Sequence, residues 1–154
     1  MLEAVKSFLK EQEWEFSKNE DSNVFIFGLG SNNGTFQCII DIKEDNERIV
    51  VYSYCSSNCP KNKQKGMLKL LNYINYKIFF GSFEMDHEDG EIRFRTSVYF
   101  DNIKNPTSDF VESLVLPNIY AMDQNLPLIM GLIHGGLKPG EAIKSVEESI
   151  SNQD

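Results

Sequence analysis

The pattern of apolar and polar positions changes period along the chain, and the period predicts the type of each element. The first apolar positions recur with helical spacing, at Leu2, Val5, Phe8 and Leu9. This spacing predicts a short amphipathic helix over residues 2–12. From Trp14 and Phe16 onward the pattern becomes that of extended structure, in which successive side chains point to opposite faces.

Three runs with strand-like patterns follow, and they predict an antiparallel meander. The runs are Val24–Leu29, Thr35–Ile42 and Arg48–Tyr54. Asn33-Gly34 lies between the first two runs and favours a type I′ hairpin turn, because both central residues of that turn need a positive φ.

A core-facing helix of about five turns is expected to start near Pro60, since proline suits a first helical turn. Its apolar stripe consists of Met67, Leu70, Leu71, Ile74 and Ile78. Gly66 weakens the early part of this helix by about 1 kcal/mol relative to alanine. Asn72 and Asn75 are interpreted as local hydrogen-bonding or capping residues, with contact to a ligand as the alternative.

A second long apolar region predicts a helix over Phe110–Ile133, capped by the segment 106–108. Pro117 and Pro127 are expected to kink or divide it, because each removes a backbone donor and clashes with the preceding turn. Gly135-Gly136 should end this helix. A last helix is expected to begin around residues 138–143 and to fray over residues 149–154.

Between these helices, Gly81 opens a hairpin that turns at Asp89-Gly90 and carries charges on one face. A two-residue loop would place Glu84 opposite Arg95, whereas a four-residue loop would place it opposite Arg93. Both registers keep the same side chains on the core face: Phe83, Met85, Ile92, Phe94, Thr96 and Val98. The charged ladder either fixes the register and keeps the sheet soluble, or its arginines bind an acidic side chain or carboxyl terminus of a partner.

The composition argues against binding to nucleic acid and to membranes. The 154 residues fit one domain with a packed core, and the net charge of −8 argues against nucleic acid, which needs clustered lysine and arginine. No apolar run is long enough for a membrane helix, and the first residues lack a signal-peptide pattern. Three cysteines agree with a reducing compartment, so we expect a cytoplasmic protein that contacts neither nucleic acid nor membranes.

Motifs for catalysis, metals and cofactors are weak, and we predict none of the three. Cys55 and Cys59 could form half of a thiolate metal site, but a loop with free thiols is favoured because no second matching pair exists. His87 is expected to be solvated and His134 to lie at a helix end; neither accompanies a nucleophile pattern. The lysines at 61, 63 and 65 are interpreted as a solvated face, with an acidic protein partner or RNA as alternatives.

The segment Leu71–Tyr99 resembles the signature of the YbjN-like family, whose members are labelled bacterial sensory transduction regulators. The matching positions are Leu71, Asn72, Asn75, Gly81, Phe83, Glu84, Asp86, Gly90, Glu91, Arg93, Phe94, Arg95, Thr96 and Ser97. The resemblance covers Trp14–His134 and implies a single domain over residues 1–154 with a fold like that of type III secretion chaperones. It also implies homodimerisation and the binding of extended client segments on apolar patches.

This resemblance predicts an α+β fold in which an antiparallel sheet, a three-strand meander plus a C-terminal hairpin, packs against helices. The predicted function is that of a non-enzymatic protein-binding adaptor or regulator, in bacterial signalling or stress response, with an unknown client. Its candidate partner-binding residues are Glu84, Arg93, Arg95, Phe80 and Tyr99. The alternative is a small-ligand-binding domain that uses the face formed by Glu84, Arg93 and Arg95.

Two features depart from the usual family pattern or extend it. Gly66 and the neighbouring lysines put in doubt any partner surface on the helix that carries them. The segment Gly135–Ile143 resembles an extension of some members, which either shapes an interface or covers the sheet.

Overall fold

The helices and strands lie close to the positions that the sequence pattern predicts, except that the second helix begins at Gln64 rather than near Pro60. A computed structural model describes residues 1–19 and 22–151, with side chains up to residue 147. In this part the helices are α1 (Leu2–Glu11), α2 (Gln64–Lys77), α3 (Ser108–Ile133) and α4 (Pro139–Ser151). The strands are β1 (Phe16–Lys18), β2 (Val24–Gly30), β3 (Thr35–Lys43), β4 (Arg48–Cys55), β5 (Ser82–Met85) and β6 (Ile92–Tyr99).

The strands described form one antiparallel sheet with the order β1-β2-β3-β4-β6-β5. The predicted meander is confirmed, and β1 extends it by one strand. The predicted hairpin joins the meander through β6, which pairs with β4, so that β5 lies at the edge. The α+β class with a sheet packed on helices is therefore confirmed.

The helices lie on one face of the sheet, and the strands bury alternate side chains against them there. The buried side chains on this face include Phe25, Phe27, Phe36, Ile40, Ile49, Val51, Phe83, Ile92 and Phe94. They pack with the apolar sides of α1, α2 and α3. No helix of the described part covers the opposite face, which we call the open face.

A buried polar network fixes α3 on the sheet. The side chain of Asn118 is 0% exposed, and its Oδ1 accepts a hydrogen bond from the Ser53 hydroxyl at 2.7 Å. Its Nδ2 donates to the Val51 carbonyl and to the Thr96 hydroxyl, each at 3.1 Å. Because a buried amide is stable only when it is bonded, these contacts specify how α3 sits on β4 and β6.

The prediction of a type I′ turn at Asn33-Gly34 is wrong. Gly30 pairs with Thr35, which leaves a four-residue loop, and Asn33 does not have the positive φ that this turn needs. Asn33 is held instead by α3: its backbone N–H donates to the Asp123 carboxylate at 3.0 Å.

The prolines were predicted to kink or divide the long helix, and the division is wrong, because α3 continues through both. Pro127 has no N–H to donate to the carbonyl of Asp123, one turn earlier. The Asn33 side-chain amide donates to that carbonyl at 3.1 Å and replaces the lost bond. The predicted cap is confirmed, since the Thr107 side chain accepts from the Phe110 N–H at 3.3 Å.

Helix α4 packs beside α2 rather than on the sheet. A side chain at Gly66 would bring its Cβ within 2.6 Å of Pro139 Cγ, so glycine permits this close approach of the two helices. The extension after Gly135 therefore covers α2. The predicted fraying over residues 149–154 is wrong as far as Ser151, where the backbone is still helical, and residues 152–154 lie outside the described part.

Candidate functional site

The β5–β6 hairpin adopts the register of the four-residue loop. Glu84 pairs with Arg93, and Met85 pairs with Ile92. Two carboxylates stabilise the loop: Asp86 Oδ1 accepts from the Glu88 N–H at 2.8 Å, and Asp89 Oδ1 accepts from the Glu91 N–H at 2.9 Å. The hairpin thus places Glu84 and both arginines on the open face.

These three side chains form one ion-pair cluster. Arg93 Nε lies 2.9 Å from Glu84 Oε2, and Arg95 Nη2 lies 2.6 Å from Glu84 Oε1. Each carboxylate oxygen of Glu84 therefore holds a different arginine. The cluster carries a net charge of +1 and is partly solvated, since the side chains of Arg93 and Arg95 are 35% and 42% exposed.

Two tyrosines from β4 complete the cluster. The Arg93 guanidinium lies 4.8 Å from the ring centroid of Tyr52, and its Nη1 donates to the Tyr54 hydroxyl at 3.3 Å. Partial burial alone would lower the pKa of Arg93, but its hydrogen bonds to Tyr54 and Glu84 raise that pKa overall. Arg93 is thus a fixed cation that two aromatic rings and a carboxylate orient.

A groove of about 710 Å³ runs along the open face beside this cluster. Its lining includes Gly28, Gln37, Ile39 and Tyr54, and Tyr54 connects it to Arg93. A Cβ at Gly28 would meet nothing within 4 Å, so the missing side chain lowers the sheet surface at this point. The lining also includes Thr35, Ser56 and Glu91, so the open face offers a shallow groove with apolar and polar side chains next to an oriented cation.

The five candidate binding residues occupy two surfaces. Glu84, Arg93 and Arg95 form the cluster, and Tyr99 lies farther along the same face of β6 with 66% of its surface exposed. Phe80 is separate from them: its ring packs edge-on against Phe94, on the helix side of the sheet.

Phe80 lines a second groove, of about 540 Å³, at the edge of the sheet. The other apolar side chains of this groove are Val98, Leu114 and Pro117. Strand β5 pairs only with residues 92–95 of β6, so in the described part Thr96–Tyr99 has β4 on one side and no strand on the other. An open strand edge thus lies next to an apolar groove.

Several residues of the sequence signature have structural roles. Asn75 Oδ1 accepts from the Phe83 N–H at 2.7 Å and Asn75 Nδ2 donates to the Phe83 carbonyl at 3.0 Å, which ties α2 to β5 and confirms its local hydrogen-bonding role. A Cβ at Gly81 would lie 2.7 Å from the Arg95 carbonyl. Gly90 has φ +80° and packs against the Cys59 backbone.

Among the lysines near the start of α2, the interpretation as a solvated face is wrong for Lys63. Its Nζ donates to the carbonyls of Leu132 and Ile133 at 3.1 and 2.9 Å, so it caps the C-terminus of α3. Lys61 donates to the Glu88 carbonyl at 3.3 Å, and Lys65 is exposed.

The cysteines are free and buried. Burial raises the pKa of Cys55 and Cys59, and raises that of Cys38 to about 12. In the described residues, no group of three or more histidine, cysteine, aspartate or glutamate side chains could hold a metal ion. No described helix is long and apolar enough to span a membrane.

Tyr52 and Tyr54 are the site residues that sequence reasoning missed. Their alternation with buried positions of β4 already indicates that both point to one face. Their contact with Arg93 depends on the pairing of β4 with β6, which are not consecutive strands, and the alternation carries no signal for that pairing.

Comparison with known proteins agrees with this fold. The model of the family described as "YbjN: Putative bacterial sensory transduction regulator" matches residues 1–108. This match begins before the resembling region of the sequence and ends at Ser108, the first residue of α3. None of the curated proteins matches the chain significantly.

Two solved structures are similar to the chain. The crystal structure of YbjN, a putative transcription regulator from E. coli, is 12% identical, with a TM-score of 0.59 over 82% of this chain and 88% of that chain. The HopA1-SchA chaperone-effector complex contains a chain 11% identical, with a TM-score of 0.50 over 80% of this chain and 90% of that one. At these identities the similarity concerns the fold.

Proposed function

Because the chain belongs to the YbjN family, we propose that it is a non-enzymatic adaptor or regulator that binds another protein through the open face. The observation that carries this proposal is the open face itself, where a groove with apolar and polar lining adjoins the cluster of Glu84, Arg93 and Arg95. Apolar surface rimmed by polar groups is typical of protein interfaces, and arginine and tyrosine contribute strongly to their binding energy.

The charge of the cluster indicates which groups of a partner it would bind. Within the cluster, Arg93 and Arg95 together exceed the charge of Glu84 by one. The carboxylates of Asp86, Glu88 and Glu91 line the recess beside Arg93, and Arg95 does not line it, so a carboxylate of the partner would pair with Arg95. Arginine binds carboxylates with two parallel hydrogen bonds, which gives orientation as well as affinity. We therefore propose a partner with an acidic side chain or carboxyl terminus, flanked by apolar residues that enter the groove.

The edge of β6 provides a second contact for an extended segment. Such a segment could add to residues 96–99 by backbone hydrogen bonds while its side chains enter the groove at Phe80. One of the similar structures is a chaperone-effector complex, and this agrees with a role in protein binding. Homodimerisation and a cytoplasmic location belong to the same proposal; the free cysteines favour a reducing compartment.

The alternative, a small-ligand site at Glu84, Arg93 and Arg95, has less support. A recess of about 540 Å³ does adjoin Glu84 and Arg93. Its other side chains include three more carboxylates, those of Asp86, Glu88 and Glu91. Ligand pockets are mostly apolar with few polar groups, whereas this recess is acidic and polar.

The test is a crosslinked pull-down from native lysate, read by mass spectrometry. Wild type is compared with the double variant Arg93→Ala, Arg95→Ala and with Lys6→Ala, which removes an ion-paired cation from α1. We expect a client that wild type and Lys6→Ala capture and the double variant loses. Size-exclusion chromatography with light scattering on the same samples measures homodimerisation.

Folding must be measured in parallel, because Arg93 also packs on the tyrosines. We expect the double variant to remain folded and to lose about 1–2 kcal/mol, since surface ion pairs and cation–π contacts each contribute at most about 1 kcal/mol. Collapse of the double variant in a thermal melt would mean that the pair is structural. Recovery of the same proteins by all three samples would remove the open face as the binding surface.

A further inference from the structure

A lysine-rimmed groove lies between α2 and α4, on the helix side of the molecule and away from the open face. Its volume is about 490 Å³. The N-termini of the two helices lie side by side, because Gly66 lets Pro139 approach, and farther along the Tyr73 hydroxyl donates to Glu147 at 3.1 Å. The groove opens between these two helix starts.

Four lysines line this groove: Lys63, Lys65, Lys69 and Lys138. Lys63 is engaged by the α3 carbonyls. The other three are exposed, and no carboxylate of the described residues pairs with their ammonium groups. The lining contains no acidic residue. In a chain with a net charge of −8, this is a local concentration of positive charge.

The floor of the groove is apolar. Leu132 is buried, Leu137 and Pro139 are half-buried, and all three line the same cavity. A cavity of a few hundred cubic ångströms with an apolar lining and a few charged groups is typical of a small-molecule site. A small ion would pair with the lysines but would not contact the apolar floor. An apolar molecule would contact the floor but would not pair with the lysines.

We propose that this groove binds an amphipathic anion, a carboxylate or phosphate head group on an apolar body. The head group pairs with Lys65, Lys69 and Lys138, and the apolar body packs on Leu137 and Pro139. This site is separate from the protein-binding surface, so it can be present or absent independently of the proposed adaptor function.

The test is titration of the full chain with octanoate and with octyl phosphate below their micelle concentrations, followed by ¹H–¹⁵N amide shifts. We expect saturable shifts at Gly66, Gly136 and Leu137 that weaken as salt is added. Octanol and inorganic phosphate serve as controls for the apolar body and the charge alone, and both should bind much more weakly. The stronger of the two anions identifies the preferred head group.

Variants connect the binding to the lysines. The double variant Lys65→Gln, Lys69→Gln should weaken binding about three- to tenfold, as expected for the loss of two exposed charge pairs. Lys10→Gln, Lys104→Gln changes the net charge equally at distant exposed sites and should leave the affinity unchanged. Absence of saturable shifts for both anions, equal binding of octanol, or equal weakening by the two double variants would each overturn the proposal.

Discussion

Replacement of Asn118 by alanine should destabilise the protein more than any single change on its surface. The side chain is fully buried and makes three short hydrogen bonds, to Ser53, Val51 and Thr96. Each bond contributes about 0.5–1.5 kcal/mol, and the variant also leaves a small cavity and unpaired polar groups. We expect the free energy of unfolding to fall by about 3–5 kcal/mol, a large part of the 5–15 kcal/mol usual for a domain.

Urea unfolding followed by the fluorescence of Trp14 measures this loss. Trp14 is the only tryptophan and stacks on Phe27 with ring centroids 5.3 Å apart, so its emission reports on the core. The midpoint should fall at an unchanged slope, and the melting temperature should fall by roughly 6–20 °C. Asn125→Ala, which removes a single bond from Nδ2 to the Ala121 carbonyl, should lose less than about 1 kcal/mol.

A triple variant separates hydrogen bonding from packing. Asn118→Leu combined with Ser53→Ala and Thr96→Val removes both side-chain partners together with the amide, and only the backbone carbonyls of Val51 and Phe94 remain. Replacement of both partners of a hydrogen bond by apolar groups is often nearly neutral. We expect it to regain about 2 kcal/mol or more relative to Asn118→Ala. A loss below about 1 kcal/mol in the single variant, or no gain in the triple variant, would refute the assignment of this network as the anchor of α3.

Two further predictions concern the backbone and the buried thiol. Gly90→Ala should lower the free energy of unfolding by at least about 2–3 kcal/mol, because φ is +80° and the new Cβ would clash with the Cys59 carbonyl. Gly28→Ala places its Cβ in open space and should change stability by less than about 1 kcal/mol. Urea unfolding measures both changes. Burial raises the pKa of the Cys38 thiol from its ordinary value near 9 to about 12. The unfolded chain therefore loses this proton first, and stability falls as pH rises through this window. Unfolding at several pH values should therefore give wild type a slope steeper than that of Cys38→Ala by up to about 1.4 kcal/mol per pH unit, and equal slopes would contradict the burial of the thiol.

Local patterns in the sequence predicted most of the fold. The helical spacing of α1 and the alternation of β2, β3 and β4 place these elements to within a residue or two of the structure. These signals succeed because each element buries one face, and burial imposes a period on its own residues. They also limit the hairpin to two registers, since a shift by two residues keeps every side chain on its face.

The errors arise where a distant residue decides the local structure. The Asn33-Gly34 pair predicts a turn, but the side chain and N–H of Asn33 both bind Asp123, 90 residues later. That contact changes the turn and also supplies the donor that Pro127 lacks. Gly66 likewise reads as a weak point of α2, yet it is the contact point of Pro139. Local periodicity in the sequence cannot predict these contacts, because they depend on the tertiary arrangement.

The sequence left the charged ladder as either structural or binding, and the contacts of its two arginines differ in the structure. Both oxygens of Glu84 are engaged, and Arg93 is held by Glu84, Tyr54 and the ring of Tyr52, so these groups orient the cluster. Arg95 is different: the structure gives it one contact, to Glu84, although a guanidinium has five N–H donors. Its remaining donors can bind a carboxylate without breaking the ladder. We therefore propose that Arg93 positions the site and that Arg95 contacts the partner.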